Sequence, residues 1–268
     1  MGKEEETVYR YISFEQLVDL QQKQALTFVL PEIWEDPTEK IIFDRIIELL
    51  DDQYMAIQLN IYKSQTFCQC WTTLAESDAM WRIYAFGNKS IRISAYRSDL
   101  LNLEKSLVLK DVTYTDEDIE KPQALERDDP EYGAKIGQIV LDSLTRKRTV
   151  FSHEKEVRLI CPSPIGDGAM EIIDYYIAFF TSIGDTEMIK RLCQEKHTID
   201  PYDESQVQHL LNIGDGRRIT KDISFSKCPY LIKGVMVHPL APDWYVDTVK
   251  IFCNNHSIPF EGKSKLYS

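Results

Sequence analysis

No stretch of the 268 residues comes near the about 18 consecutive apolar side chains that a membrane-spanning helix needs. The first residues, Met1 to Thr7, are acidic and lack the apolar core of a secretion signal. These absences point to a cytoplasmic protein with no membrane partner. Glycine and proline are sparse, 11 of each, and with 43% hydrophobic and 28% charged residues the collagen-like, low-complexity and disordered classes are excluded. The six cysteines are too few for a disulfide scaffold in a chain this long, so reduced thiols are expected. Only Cys68 and Cys70 lie close, and no second pair completes a zinc set, so no metal is expected. There is no Gly-rich phosphate loop of either standard form, no G-x-S-x-G elbow and no H-x-x-x-H pair, which weakens nucleotide-hydrolase, Rossmann, serine-hydrolase and zinc-protease readings. Positive charge is also in deficit: 31 basic against 43 acidic residues leave a net charge of -12, which argues against blanket neutralisation of duplex DNA. Locally, Arg146-Lys147-Arg148 forms a short basic run that would suit a nucleic-acid acceptor.

What is present reads as one α+β domain over residues 1–268, with mixed, mostly antiparallel sheets and flanking helices. Strands and helices alternate without a regular β-α-β repeat, and no internal repeat occurs. Val8–Tyr11 reads as a strand, Ser13 as the N-cap of a helix over 14–24 with Gln16 completing a capping box, and Leu26–Leu30 as a second strand. Further strands are predicted at Phe67–Thr72, Ser90–Ala95, Val150–Ile160 and Tyr230–Val237. Helices are predicted at Ser77–Tyr84, Ala134–Leu144, Glu187–Glu195 and Pro242–Asn254, and a last edge strand after Ser257. The acidic stretch Thr113–Tyr132 reads as a long surface loop, Ile172–Ile183 as apolar and aromatic, and Ile213–Lys221 as a turn.

Chemistry concentrates in four places. In His153-Glu154-Lys155-Glu156-Val157-Arg158, strand alternation puts Glu154, Glu156 and Arg158 on one face, between apolar flanks that suggest a central strand. Charges in such a strand need a reason, although an ion ladder on a solvated face is the plainer reading. Trp81 and Tyr84, three apart on a helix, would cover core or form an aromatic wall. Arg10, between Tyr9 and Tyr11 but on the opposite face of the strand, has the fork that clamps a phosphate or carboxylate. Trp34-Glu35-Asp36-Pro37, with Glu39, reads as a turn opening a helix.

In this order, Tyr9-Arg10-Tyr11, Trp34-Glu35-Asp36-Pro37-Thr38-Glu39, Met80-Trp81-Arg82-Ile83-Tyr84-Ala85 and Phe151-Ser152-His153-Glu154-Lys155-Glu156-Val157-Arg158 resemble an uncharacterised bacterial domain-of-unknown-function family. Its motifs are Y-[KR]-Y, N-D-P-x-E, M-W-x-x-Y-[AG] and W-x-Y-E-x-E-x-R; here Trp34-Glu35 stands in place of F-N and His153 in place of Tyr. More distantly, the layout is similar to the ADP-ribosyltransferase superfamily. That resemblance implies an enzyme that cleaves NAD and transfers ADP-ribose to a nucleic acid or protein, as a toxin or anti-phage defence effector checked by a neutralising antitoxin protein. It implies Glu154 or Glu156 as the catalytic carboxylate, and Arg10, Tyr11, Ser13, Trp81, Tyr84, Ser94 and Arg158 as the residues around NAD. Two other readings of the same residues stand beside it. One is a non-enzymatic ligand- or partner-binding module; the other is a metal-dependent nuclease or hydrolase built on Asp36, Glu39 and the two late carboxylates.

Overall fold

Ser13 ends the first strand and starts the first helix, as its spacing to Gln16 predicts. A computed structural model of the chain describes residues 5–34, 36, 39, 44–48, 59, 66–84, 87–117, 132–161, 177, 181, 184, 186–195 and 219–267. Strand β1 (Thr7–Ser13) runs directly into α1 (Phe14–Lys23). The Gln16 N–H donates to Ser13 Oγ at 3.1 Å and the Ser13 N–H donates to Gln16 Oε1 at 2.9 Å, so two otherwise orphaned donors are satisfied reciprocally. Gln24, left-handed at φ 50, closes the helix and turns the chain into β2 (Ala25–Val29). Ser13→Ala is expected to cost about 1 kcal/mol of stability, read as a lower urea midpoint with an unchanged slope. That result would mark Ser13 as a structural cap.

The chain then adds β3 (Phe67–Thr72), α2 (Asp78–Tyr84), β4 (Ser90–Tyr96), α3 (Arg97–Leu101) and β5 (Val108–Asp111). Next come β6 (Thr113–Tyr114), α4 (Tyr132–Leu144), β7 (Arg146–Lys147), a 3₁₀ turn over Thr149–Glu154 and β8 (Glu156–Cys161). Last are α5 (Thr186–Glu195), β9 (Thr220–Ser224), β10 (Gly234–Val237), α6 (Asp243–Asn255) and β11 (Phe260–Lys263). Among the described residues nine strands form one open sheet in the order β11-β10-β4-β1-β3-β2-β9, with β8 paired to β3 and β5. All pairs in it are antiparallel except β10 with β11, so the fold is α+β with a mixed, mostly antiparallel sheet. The short strands β6 and β7 pair separately, in parallel.

Strand β3 organises this sheet. It pairs with β8 along its whole length, while its other edge touches β1 only at Tyr9–Thr72 and β2 only at Val29–Cys68. The strands β1 and β2 therefore part from one another along that edge. On one sheet face Val8, Ile12, Ile93, Trp71, Val157 and Val235 pack with Leu17 and Leu20 of α1 and with Val249 and Cys253 of α6, forming the main apolar core. The opposite face carries Tyr9, Tyr11, Arg92, Thr72, Glu156 and Arg158, and it is there that α2 and Lys147 of β7 pack.

Several expectations need correction. The strand predicted from Val150 to Ile160 begins only at Glu156: residues 149–154 form a 3₁₀ turn, and Lys155, at φ 46, breaks the alternation. Only Gly234–Val237 of the predicted strand Tyr230–Val237 is paired, and Tyr230 is 71% exposed. Strands β5 and β9 were not anticipated, because β9 (TKDIS) is a polar edge strand with Ile223 alone buried and β5 (VLKD) is short. Part of the predicted long loop is β6; its stretch 118–131, most of 172–183, the turn at 213–218, and Glu35, Pro37 and Thr38 lie outside the described residues. Among the described residues no helix is long and apolar enough to cross a membrane, and all six cysteines are free.

Candidate functional site

Every residue of β8 is buried and the strand is paired on both sides, so the charges that the sequence places in it must be compensated inside the protein. They are. Arg158, 1% exposed, donates Nε to Glu156 Oε1 at 2.9 Å, one terminal nitrogen to Glu156 Oε2 at 3.0 Å and the other to the Leu144 carbonyl at 2.6 Å. It also binds Glu39, and its guanidinium lies 4.1 Å from the centre of the Trp34 ring. Lys147, delivered by β7, reaches Glu154 at 2.6 Å, Glu156 at 3.2 Å and Glu39 at 3.2 Å. The Tyr84 hydroxyl, from the last residue of α2, donates to Glu154 Oε1 at 3.0 Å.

Backbone contacts hold the kink that makes this possible. Thr72 Oγ1 donates to the Glu154 carbonyl at 2.6 Å and the Glu156 N–H donates to the Tyr114 hydroxyl at 2.8 Å. With Lys155 left-handed between them, Glu154 and Glu156 both point at Lys147 although they belong to different elements.

The electrostatics follow. Burial works against ionising Glu156, but the Arg158 and Lys147 charges outweigh it and hold the carboxyl at about 2. Burial lifts Glu39 above the usual carboxylate range, with Arg158 and Lys147 only partly offsetting it. Burial also opposes the charge on Lys147, yet the surrounding carboxylates, Glu156 foremost, raise it above its ordinary value. The Tyr84 phenol is raised by burial and by the Glu154 charge. Three carboxylates face two cations, so the cluster carries one surplus negative charge when all its members are ionised; Glu154 is buried, and its partner Tyr84, 38% exposed, forms the margin of the cluster.

A second group lies beside it on the same sheet face. Trp81, fully buried, meets Tyr11 edge-on at 4.7 Å and His238 at 5.2 Å, and donates Nε1 to Glu76 at 3.2 Å. Tyr11 in turn donates to the Leu74 and Ala75 carbonyls, each at 3.4 Å. Helix α2 joins the two groups, with Trp81 in one and Tyr84 in the other.

The predicted site residues are thus distributed unevenly. Glu154, Glu156, Arg158 and Tyr84 come together in the charged cluster, and Tyr11 with Trp81 in the neighbouring aromatic one. Ser13 is occupied as a helix cap. Ser94 is buried, its Oγ 3.5 Å from the Gly234 carbonyl. Arg10 stands apart: Tyr9, Thr72 and Glu156 are cross-strand neighbours in register and share a face, and the pleat turns Arg10 toward the other, with Val8 and Ile12. It does not converge with Glu156.

Sequence reading missed the centre of the cluster. Lys147 reads as the middle of a surface basic run, but it is buried and neutralised by three carboxylates, while Arg148 pairs with Asp36 at 3.3 Å and Arg146 with the Glu117 carbonyl. Only Arg146 and Arg148 of the run reach the surface. Glu39, which reads as a helix-start acid, is a buried partner of Arg158 and Lys147. The available signal was the apolar flanks of β8, which call for buried counter-ions without saying where in the chain they lie. Among the described residues no group of three or more His, Cys, Asp or Glu side chains is disposed to hold a metal ion. In the acid set proposed for a metal hydrolase, Asp36 turns to Arg148, and Glu39, Glu154 and Glu156 are bound to cations.

Residues 80–159 match the model of a family described as a protein of unknown function, DUF2971. The match covers less than a third of the chain and runs from the start of the Met80-Trp81 motif into β8. It takes in Trp81, Tyr84, Lys147, Glu154, Glu156 and Arg158, and leaves out Arg10 and Glu39. No curated protein and no solved structure matches the chain.

Proposed function

We propose that this protein cleaves the nicotinamide–ribose bond of NAD and transfers ADP-ribose to a nucleic acid or protein acceptor, with Glu154 as the catalytic carboxylate and Tyr84 beside it. The observation that carries this reading is the contact between the buried Glu154 carboxylate, held by Lys147, and the hydroxyl of Tyr84, whose ring reaches the surface at the margin of the cluster. Loss of nicotinamide builds positive charge on the ribose, and a preorganised carboxylate in a low-dielectric setting stabilises an oxocarbenium-like transition state. Glu156 suits this role less well, since both its oxygens are taken by Arg158 and Lys147. Glu154 has one ammonium and one neutral phenol. In this reading Tyr84 swings off Glu154 to admit the sugar, its ring offering a wall for nicotinamide. Arg158, committed to the cluster, and Arg10, on the other sheet face, take no part. The α+β fold and the order of motifs along the chain support the same reading by analogy alone.

The test is nicotinamide release from NAD by the parent, Glu154→Gln and Glu156→Gln, each checked for folding by its melting curve. Glu154→Gln is expected to lower the rate by about 10²-fold or more while melting close to the parent. A parent that releases no nicotinamide, or a folded Glu154→Gln as fast as the parent, removes the proposal. One observation favours a second reading: every carboxylate of the cluster already has a cation partner, as expected of a scaffold. A parent without NAD turnover that binds a ligand or protein partner by calorimetry would establish that non-enzymatic module.

A further inference from the structure

Arg10 is left over by the chemistry proposed above. It sits in the middle of the central strand β1, between Val8 and Ile12, both buried, and opposite the fully buried Ile93 of β4. Three arginines lie on the nine-stranded sheet. Arg92 is bound to Glu261 and the Ala75 carbonyl, with its guanidinium 4.6 Å from the Tyr9 ring centre, and Arg158 to Glu39 and Glu156. Arg10 differs from both: it is half-buried, and among the described residues it has no ion pair and no hydrogen bond to its five donors. The backbone pairing also ends at this point, since β1 pairs with β3 only through Tyr9 and Thr72. Burial pulls the guanidinium below its ordinary value.

A guanidinium drawn into an apolar row without a counter-charge is costly, whereas a hydrocarbon of similar length would pack there freely. Retaining arginine at such a place makes sense when something outside the chain supplies the charge. We propose that Arg10 forms an anion subsite where the pairing of β1 with β3 ends, taking an oxyanion that offers two oxygens to one guanidinium, a phosphate or a carboxylate group. The subsite lies on the sheet face opposite Glu154 and Tyr84, so it goes beyond the proposed NAD chemistry and stands or falls separately from it. Bidentate geometry makes arginine and lysine unequal here, because a single ammonium cannot present the parallel pair of N–H groups.

The experiment follows the melting temperature of the full chain at constant ionic strength with inorganic phosphate, pyrophosphate or acetate, for the parent, Arg10→Met and Arg10→Lys. The parent is expected to gain about 3 °C with at least one of the three at a concentration well above its dissociation constant. Arg10→Met should show no gain and, without added anion, should melt no lower than the parent; Arg10→Lys should respond more weakly. Response to phosphate and pyrophosphate but not acetate assigns a phosphate subsite, and the reverse a carboxylate one. An equal gain in Arg10→Met shows an adventitious ion elsewhere and overturns the proposal. So does a parent indifferent to all three anions, or an Arg10→Met variant that unfolds several degrees early, which would reveal a structural partner for Arg10. If the Met variant does not fold at all, equal responses of parent and Arg10→Lys overturn it.

Discussion

Arg158→Met is expected to lower the melting temperature by about 10 °C, the largest loss among the substitutions considered. Methionine fills much of the same space, so packing against Trp34 is largely kept, and the loss is electrostatic. Three buried carboxylates would then face Lys147 alone, and the Leu144 carbonyl would lose its donor. Breaking a buried pair by removing one partner typically costs about 3–5 kcal/mol, because the remaining charge is left uncompensated. The same reasoning predicts the sign of a second step: Glu156→Leu added to Arg158→Met should restore part of the loss, since it removes the carboxylate that was stranded. Calorimetric melting of both single variants and the double gives the coupling directly. A double variant whose loss equals the sum of the two singles would show that Glu156 and Arg158 do not act as a pair.

Acidification is expected to unfold the protein cooperatively between about pH 4.5 and pH 2. The ordinary carboxyl value of 4.5 applies to Glu156 in the unfolded chain, and the folded value of about 2 lies below it. The unfolded state therefore binds the proton first, so the stabilisation is whole above 4.5 and disappears as the pH falls through 2. Glu39 acts in the other direction. Its carboxyl is raised in the folded state, so the folded form binds its proton first, and that contribution is lost as the pH rises through its folded value. Stability should consequently pass through a maximum on the acid side of neutrality, set by these two members of one cluster. Melting temperature against pH checks this: Glu156→Gln should flatten the acid limb, and Glu39→Gln the limb on the other side. An acid limb unchanged in a folded Glu156→Gln would place the acid sensitivity elsewhere.

Much of the fold was legible because it depends on local pattern. The capping box at Ser13, the alternation in Phe67–Thr72 and Ser90–Tyr96 and the helical spacing of α4 and α6 all involve residues within a few positions of one another. Prediction failed at Lys155, where one left-handed residue ended a run that alternates smoothly in composition, and at β9, whose polar residues become a strand only because β2 offers an edge. The site was half legible for the same reason. Glu156 and Arg158, two apart on a strand, had to share a face, but Lys147 looked like a surface charge in Arg146-Lys147-Arg148 until β7 turned it inward. A side chain's charge is local information, while its desolvation and its partners are not.

The sequence by itself determined the α+β class, the helix and strand segments with strong periodicity, and the need for compensation of the charges on β8, because each of these is set by neighbours along the chain. Only the tertiary structure decided that Glu39 and Lys147 supply part of that compensation, that Tyr84 stands at its edge, and that Arg10 faces away from it. These depend on strand register and on contacts between residues up to 119 positions apart, where a shift of one residue would send every side chain to the other face of the sheet.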